Sequence, residues 1–280
     1  MLLVSIAKEI GVMAQDPKKK SGLLLRVISA LIMLPAAVWI ILSGGMLLFI
    51  LINLLMIIIL YEWNGICEAK PVTGVFVVQT ICAVLILIQQ YFASPYIIHM
   101  IIGSVIAISA ASYLFKSKLS WAVLGFFYAL IPSISVLLII ENADALVVLW
   151  MMILIWSMDT GAYFAGKNIG GPKMASKISP NKTWSGLIGG TILAMVLGYV
   201  FVIYSGVTNI PFSHDALILL ILSGFLAILS QIGDLAESAV KRKFSVKNSG
   251  AIIPGHGGIM DRVDGLLFVA PTIALISYLV

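Results

Sequence analysis

Asp261 and Asp264 stand three residues apart in "PGHGGIMDRVDG", Pro254 to Gly265. If "MDRVDG" is helical, the two lie one above the other. Two hard oxygen donors so placed suit Mg²⁺, which takes one or two carboxylates and completes its shell with substrate phosphates. Acids in the first turns of a helix also simply favour its dipole. Upstream, "SQIGDLAESAVKRKFSVKNSG" places Asp234, Glu237 and Lys241 at i, i+3 and i+7, on one helical face. Asp159 lies in the last turns of an otherwise apolar segment, "IWSMDTGAYFAGKNIGG". An acid at such depth is costly to bury unpaired and marks function. Four carboxylates (Asp159, Asp234, Asp261, Asp264) thus accompany nine cations between Lys167 and Arg262. Metal-binding acids beside many cations are what a phosphoanhydride substrate needs. Phosphoryl and nucleotidyl transfer depend mainly on positioning and charge neutralisation.

The intervening residues refine this. "PGHGG" cannot be regular helix; its proline and glycines dictate a tight turn with exposed backbone. "GAYFAGKN" has the glycines and lysine of a phosphate loop, but Asn168 follows Lys167 where that loop needs Ser or Thr. Its glycines continue an apolar helix, so the match is rejected. In "GGPKMASKISPNKTWSG", Lys173, Lys177 and Lys182 are separated by Gly, Pro and Ser. Small residues let the backbone approach a ligand, and lysines offer point charges to phosphates. The same lysines would also attract anionic lipid. His99 and His214 have no polar company, and Cys67 and Cys82 offer neither a disulfide framework nor a zinc spacing.

Membrane helices must position these residues. The chain has 280 residues, 61% hydrophobic and only 10% charged, with a mean hydropathy of +1.12. Soluble domains are nearer half apolar and a quarter charged. The apolar runs are long and continuous, which excludes a β-barrel and leaves helices. The expected fold is therefore all-α: a polytopic integral membrane protein with about nine spans, near 23–43, 46–61, 72–91, 97–115, 119–140, 146–164, 187–204, 216–236 and 266–280. With the N-terminus in the cytoplasm and the C-terminus outside, all 17 Lys and Arg fall on the cytoplasmic side. The outer loops receive only Glu141, Asp144 and Asp215. That partition follows the positive-inside rule.

The first segment begins apolar and ends basic, the reverse of a signal peptide, and Leu3, Ile6, Ile10 and Met13 suit a short interfacial helix, with a disordered tail as the alternative. Two cytoplasmic connections, about 165–186 and 237–265, are long and polar. Both fall in the second of two expected regions, an N-terminal membrane region, 1–145, and a C-terminal catalytic membrane region, 146–280.

"SAVKRKFSVKNSGAIIPGHGGIMDRVD", Ser238 to Asp264, closely resembles the signature of the phosphatidate cytidylyltransferases, or CDP-diacylglycerol synthases. "DTGAYFAGKNIGGPK", "ISPNKTWSG" and "GDLAES" extend the resemblance over Asp159 to Gly265. One position departs: Asn248 stands where the family pattern has Asp.

The resemblance implies that phosphatidate and CTP give CDP-diacylglycerol and pyrophosphate. It implies dependence on Mg²⁺, with a second, monovalent cation such as K⁺. The expected setting is the cytoplasmic (inner) membrane, the site facing the cytoplasm by the distribution of lysines, with lipid around it and no nucleic-acid partner; a homodimer is one assembly left open, since the sequence does not fix the oligomeric state. Asp234, Lys241, Arg242, His256, Asp261, Arg262 and Asp264 are then the expected catalytic set. Lys167, Lys173, Ser179, Asn181, Lys182, Lys247, Gly257 and Gly258 are the expected substrate contacts. Asp261, Asp264 and Asp234 would hold metal on the triphosphate, and Asp159 would order a lysine or the second cation. The competing readings are a CTP-dependent polyisoprenoid or phytol lipid kinase and, from a different class, a cation transporter. A transporter would want charges near the midplane or paired broken helices.

Overall fold

The structure, a computed structural model, describes residues 31–92, 95–210, 214–253 and 257–279. The expected interfacial helix at 3–13 lies outside the described residues, as does the start of the first span.

In chain order the helices are α1 (Leu31–Ser43), α2 (Gly45–Glu68), α3 (Gly74–Tyr91), α4 (Ile97–Leu114), α5 (Leu119–Asn142) and α6 (Ala145–Asn168). A hairpin of β1 (Lys173–Ala175) and β2 (Ser179–Thr183) follows, then α7 (Trp184–Ser205), α8 (Ala216–Lys243), the single turn α9 (Met260–Val263) and α10 (Leu266–Leu279). Seven of these, α2 to α8, are long and apolar enough to cross a membrane. The 14 residues of α10 rise only about 21 Å, short of a hydrocarbon core about 30 Å thick.

Helix starts are written locally. Thr73 Oγ1 accepts from Phe76 N–H, Asp144 Oδ1 from Leu146 N–H, Thr183 Oγ1 from Gly186 N–H, and Asp215 Oδ1 from Leu217 and Ile218 N–H. Each satisfies donors that the first helical turn leaves open.

Between helices in lipid, close packing replaces the hydrophobic drive, so small residues set the contacts. The tightest seam joins α6 to α7. A Cβ on Gly161 would come 2.8 Å from Gly190 Cα, and one on Gly189 would come 2.4 Å from Ala165 Cβ. In the first half, Gly125 of α5 admits the Trp63 ring of α2 to 2.3 Å from where its Cβ would stand. Buried polar groups there pair with each other: Asn64 Nδ2 donates to Gln79 Oε1, and Gln79 Nε2 to the Ala122 carbonyl.

The two halves are packed together. Helix α10 packs on α5 and α8, and α9 packs on α2. Short connections return consecutive helices alongside one another. The C-terminal ends of α2, α6 and α8 therefore meet the N-terminal ends of α5, α7 and α10. Two contacts fix this end. Trp121 of α5 rests edge-on against Phe244, and Lys243 lies 4.9 Å over the Trp121 ring.

Candidate active site

Two charged nodes form at that end of the bundle. The first gathers around Asp234. On β2, Lys182 is half-buried whereas the adjacent Asn181 is exposed. Lys182 Nζ lies 2.5 Å from Asp234 Oδ2, while Ser238 Oγ donates to Asp234 Oδ1 at 3.3 Å. Gly233 precedes Asp234; a Cβ there would come within 2.6 Å of the Asp264 carbonyl oxygen. That glycine lets the α9–α10 turn press onto α8 and brings Asp264 beside Asp234. Asp159 completes the group: Asp159, Asp234 and Asp264 lie within electrostatic reach of one another and of Lys182, and Arg262 acts on Asp159.

Burial, then the neighbouring Asp234 and Asp159 charges, push the Asp264 carboxyl up to about 7. The Gly265 N–H donates to Asp264 Oδ1 and Lys182 lies nearby, but both only moderate the rise.

The second node is built on Lys241. Its ammonium lies 2.9 Å from Glu237 Oε1 and 2.5 Å from Asp261 Oδ1. Asp261 Oδ2 accepts from the Ser249 and Gly258 N–H groups, each at 3.1 Å. Against the cost of burial, the Lys241 ammonium and the Ser249 N–H hold the Asp261 carboxyl below its usual range.

The i, i+3, i+7 stripe on α8 is thus split between the nodes, Asp234 serving one and Glu237 with Lys241 the other. Asp261 and Asp264 are likewise divided. Asp261 is engaged with Lys241 and the loop, and Asp264 faces Asp234 and Asp159. Asp264 stands in the turn between α9 and α10.

The described residues on either side of 254–256 are bonded closely together. Ile253 and Gly257 exchange backbone hydrogen bonds at 3.0 and 3.2 Å. Gly257 has φ 90°, a conformation glycine adopts without strain. A Cβ on Gly258 would come 1.9 Å from Ser249 Oγ and 2.6 Å from Glu62 Oε2. The N–H of Gly257 goes to Ile253 and that of Gly258 to Asp261, so both are already used within the loop. His256 lies outside the described residues.

The remaining cations take up the rim. Arg242 donates to the Ile178 and Val246 carbonyls at 3.2 and 3.1 Å, which ties the hairpin to the end of α8. Lys167 reaches Tyr163 Oη at 3.2 Å, while Lys173 on β1 and Lys247 in the loop are exposed. Ser179 pairs with Ala175 in the hairpin register.

One buried acid at this end went unread in the sequence. Glu62 of α2 is 1% exposed and accepts from Ser249 Oγ, Ile259 N–H and Met260 N–H at 2.8–2.9 Å. The signal was available: an acid within an apolar helix marks function. The span was expected to end near 61, which put Glu62 in a loop, whereas α2 runs to Glu68.

Among the described residues no three His, Cys, Asp or Glu side chains stand together as a metal cage. The donors fit a hard cation that draws its other ligands from phosphate oxygens. After burial, the Asp234 charge is the largest influence that raises Asp264, and a divalent ion would relieve that repulsion.

Comparison with known proteins adds the chemistry of relatives. The model of the cytidylyltransferase family matches residues 24–280. A phosphatidate cytidylyltransferase of Brucella suis biovar 1 (strain 1330) is 42% identical over 165 residues, covering 57% of this chain and 58% of that protein. One of Bacillus subtilis (strain 168) is 48% identical over 124 residues, 44% of each chain. One of Staphylococcus aureus (strain COL) is 32% identical over 259 residues, 90% of this chain and 97% of that protein. The chain thus spans little more than half the length of the Brucella relative.

Proposed function

This chain belongs to the cytidylyltransferase family, and from that premise we propose that it transfers the cytidylyl group of CTP to phosphatidate. A phosphate oxygen of phosphatidate forms a bond to the α-phosphorus of CTP. The bond from that phosphorus to the β-phosphate oxygen breaks, and pyrophosphate leaves with the electron pair. The product is CDP-diacylglycerol. The attacking oxygen is already anionic, so no protein nucleophile is required.

The observation that carries this reading is the meeting of Asp159, Asp234 and Asp264 with Lys182 and Arg262 at one end of a membrane bundle. A lipid phosphate entering sideways from the leaflet reaches that end without leaving the membrane surface. The basic residues of the described connections gather there too, and this supports a cytoplasmic orientation in the inner membrane.

Asp234 and Asp264 would hold Mg²⁺, with Asp159 behind them. When bound, the ion supplies charge neutralisation at the phosphate oxygens. The protein's own residues do the rest. Lys182 holds Asp234 in place and offers its charge to the incoming phosphates. Arg262, Lys167, Lys173 and Lys247 extend the positive surface over the hairpin and loop, with Ser179 and Asn181 as polar contacts. Lys241 and Asp261 act by ordering the loop.

The test uses the purified chain in mixed micelles with phosphatidate and labelled CTP. Label at the α-phosphorus should enter the lipid and label at the γ-phosphorus should not. The reverse pattern would establish a CTP-dependent lipid kinase, and no lipid label at all would remove both. Asp264→Asn should lower turnover about 100-fold or more at unchanged expression.

A further inference from the structure

We infer that Glu62 is a positioning residue for the reaction proposed above, holding the Asp261 loop in place from the other half of the chain; the inference rests on that reading. Glu62 belongs to α2, far in sequence from the site. A carboxylate that is 1% exposed is expensive to bury unless donors surround it. All three of its donors come from one short stretch: Ser249 Oγ at 2.8 Å, Ile259 N–H at 2.9 Å and Met260 N–H at 2.8 Å. Two of them are the N–H groups that immediately precede Asp261. The third belongs to Ser249, whose own N–H binds Asp261 Oδ2 at 3.1 Å.

The loop is shaped to receive this carboxylate. Side chains at Gly250 and Gly258 would come 2.7 and 2.6 Å from the Glu62 oxygens. An open cavity of about 400 Å³ lies alongside, bordered by Tyr61, Glu62, Pro71 and Ser249. On that side Glu62 holds the loop by hydrogen bonds, while Ile253, Ile259 and Met260 are buried against the helices. Ser249, Ile259 and Met260 therefore hang from Glu62, and Asp261 hangs from Ser249 and Gly258. Through Asp261 the loop engages Lys241, and through Asp264, three residues on, it reaches the acid cluster.

Glu62→Gln is the direct test. It keeps the shape and one acceptor, but sets an amide N–H₂ against a backbone donor. Hydrogen exchange across 257–262 should quicken by about tenfold or more, with α10 amides unchanged. The kcat for CTP and phosphatidate should fall about 30-fold while both KM values stay within about threefold. Ser249→Ala removes one of the three bonds and should give a smaller loss of kcat. The double variant should fall short of the sum, because both act on one loop.

Unchanged exchange in Glu62→Gln would overturn the clamp. Faster exchange at wild-type kcat would overturn its positioning role. If Glu62→Gln fails to fold, Ser249→Ala decides: full kcat with unchanged loop exchange overturns the inference. A wild-type chain that transfers no cytidylyl group would sink the functional reading and the role built on it, and the exchange rates would still report separately on the clamp.

Discussion

Lys182 Nζ lies 2.5 Å from Asp234 Oδ2, which joins the β-hairpin to the membrane helix α8 by a partly buried ion pair. The pair stands among three acids, since Asp159 and Asp264 both feel Asp234. Lys182, with Arg262 acting on Asp159, lets these carboxylates share a site. On substrate binding, the same ammonium is available to phosphate oxygens.

Lys182→Met should therefore lower kcat/KM for CTP by about 100-fold. The loss leaves Asp234 without its partner, a costlier change than removing an exposed pair. Lys182→Arg keeps the charge but not the compact ammonium, and should retain part of the activity. Steady-state kinetics of the two variants in mixed micelles, at saturating Mg²⁺, would check the ranking. Equal activities for Met and Arg would remove charge as the reason.

With Mg²⁺ held at Asp264 as proposed, metal dependence would become a function of pH. Burial and the neighbouring Asp234 charge hold its carboxyl near 7, so below that pH the group carries a proton. A cation must displace this proton to bind, whereas above about 7 there is none to displace. The Mg²⁺ concentration for half-maximal activity should rise as pH falls, approaching about tenfold per pH unit below 7, and should level off above it. Magnesium titrations at several pH values would measure the slope. Asp264→Asn should flatten it in whatever residual activity remains, and an equal slope in that variant would assign the effect elsewhere.

Asn248 sits exposed next to Ser249, whose N–H anchors Asp261. The resembled pattern has Asp at this position. Replacing Asn248 with Asp adds a negative charge on the loop's solvent side without disturbing the Ser249 bond. Activity should be equal or higher, within about tenfold, which a single turnover series would resolve. A clear drop would mean that the neutral side chain suits this loop.

The helices and the basic end of the bundle were legible because both follow from side-chain chemistry alone. Asp159 and Asp234 stood out for the same reason, as acids inside apolar helices. Other features depended on partners distant in sequence. Lys182 read as one of three loop lysines, and only the fold brings it to Asp234. The helical spacing of Asp261 and Asp264 suggested one shared ion, but Lys241 and the Ser249 and Gly258 N–H groups engage Asp261, and Gly233 draws the turn that carries Asp264 onto α8. Glu62 was missed through a boundary a few residues short, and its three donors lie 187 to 198 positions away.

Gly258 tests whether the loop's glycines serve its own packing. Its Cβ would stand 1.9 Å from Ser249 Oγ and 2.6 and 2.8 Å from the two Glu62 oxygens. Neither neighbour can retreat freely, since Ser249 and Glu62 are bonded to each other and both hold the segment that carries Asp261. Gly258→Ala should therefore cost about 1–3 kcal/mol in loop stability and most of the activity. Adding Ser249→Gly to Gly258→Ala removes the nearest clash and leaves the Ser249 position's N–H bond to Asp261 intact. That double variant should recover part of the lost turnover, although Ser249→Gly alone lowers it. If the glycine's only role were to expose backbone to a phosphate, removing the serine hydroxyl would restore nothing. Activity of the single and double variants, read beside hydrogen exchange over the loop, separates the two accounts.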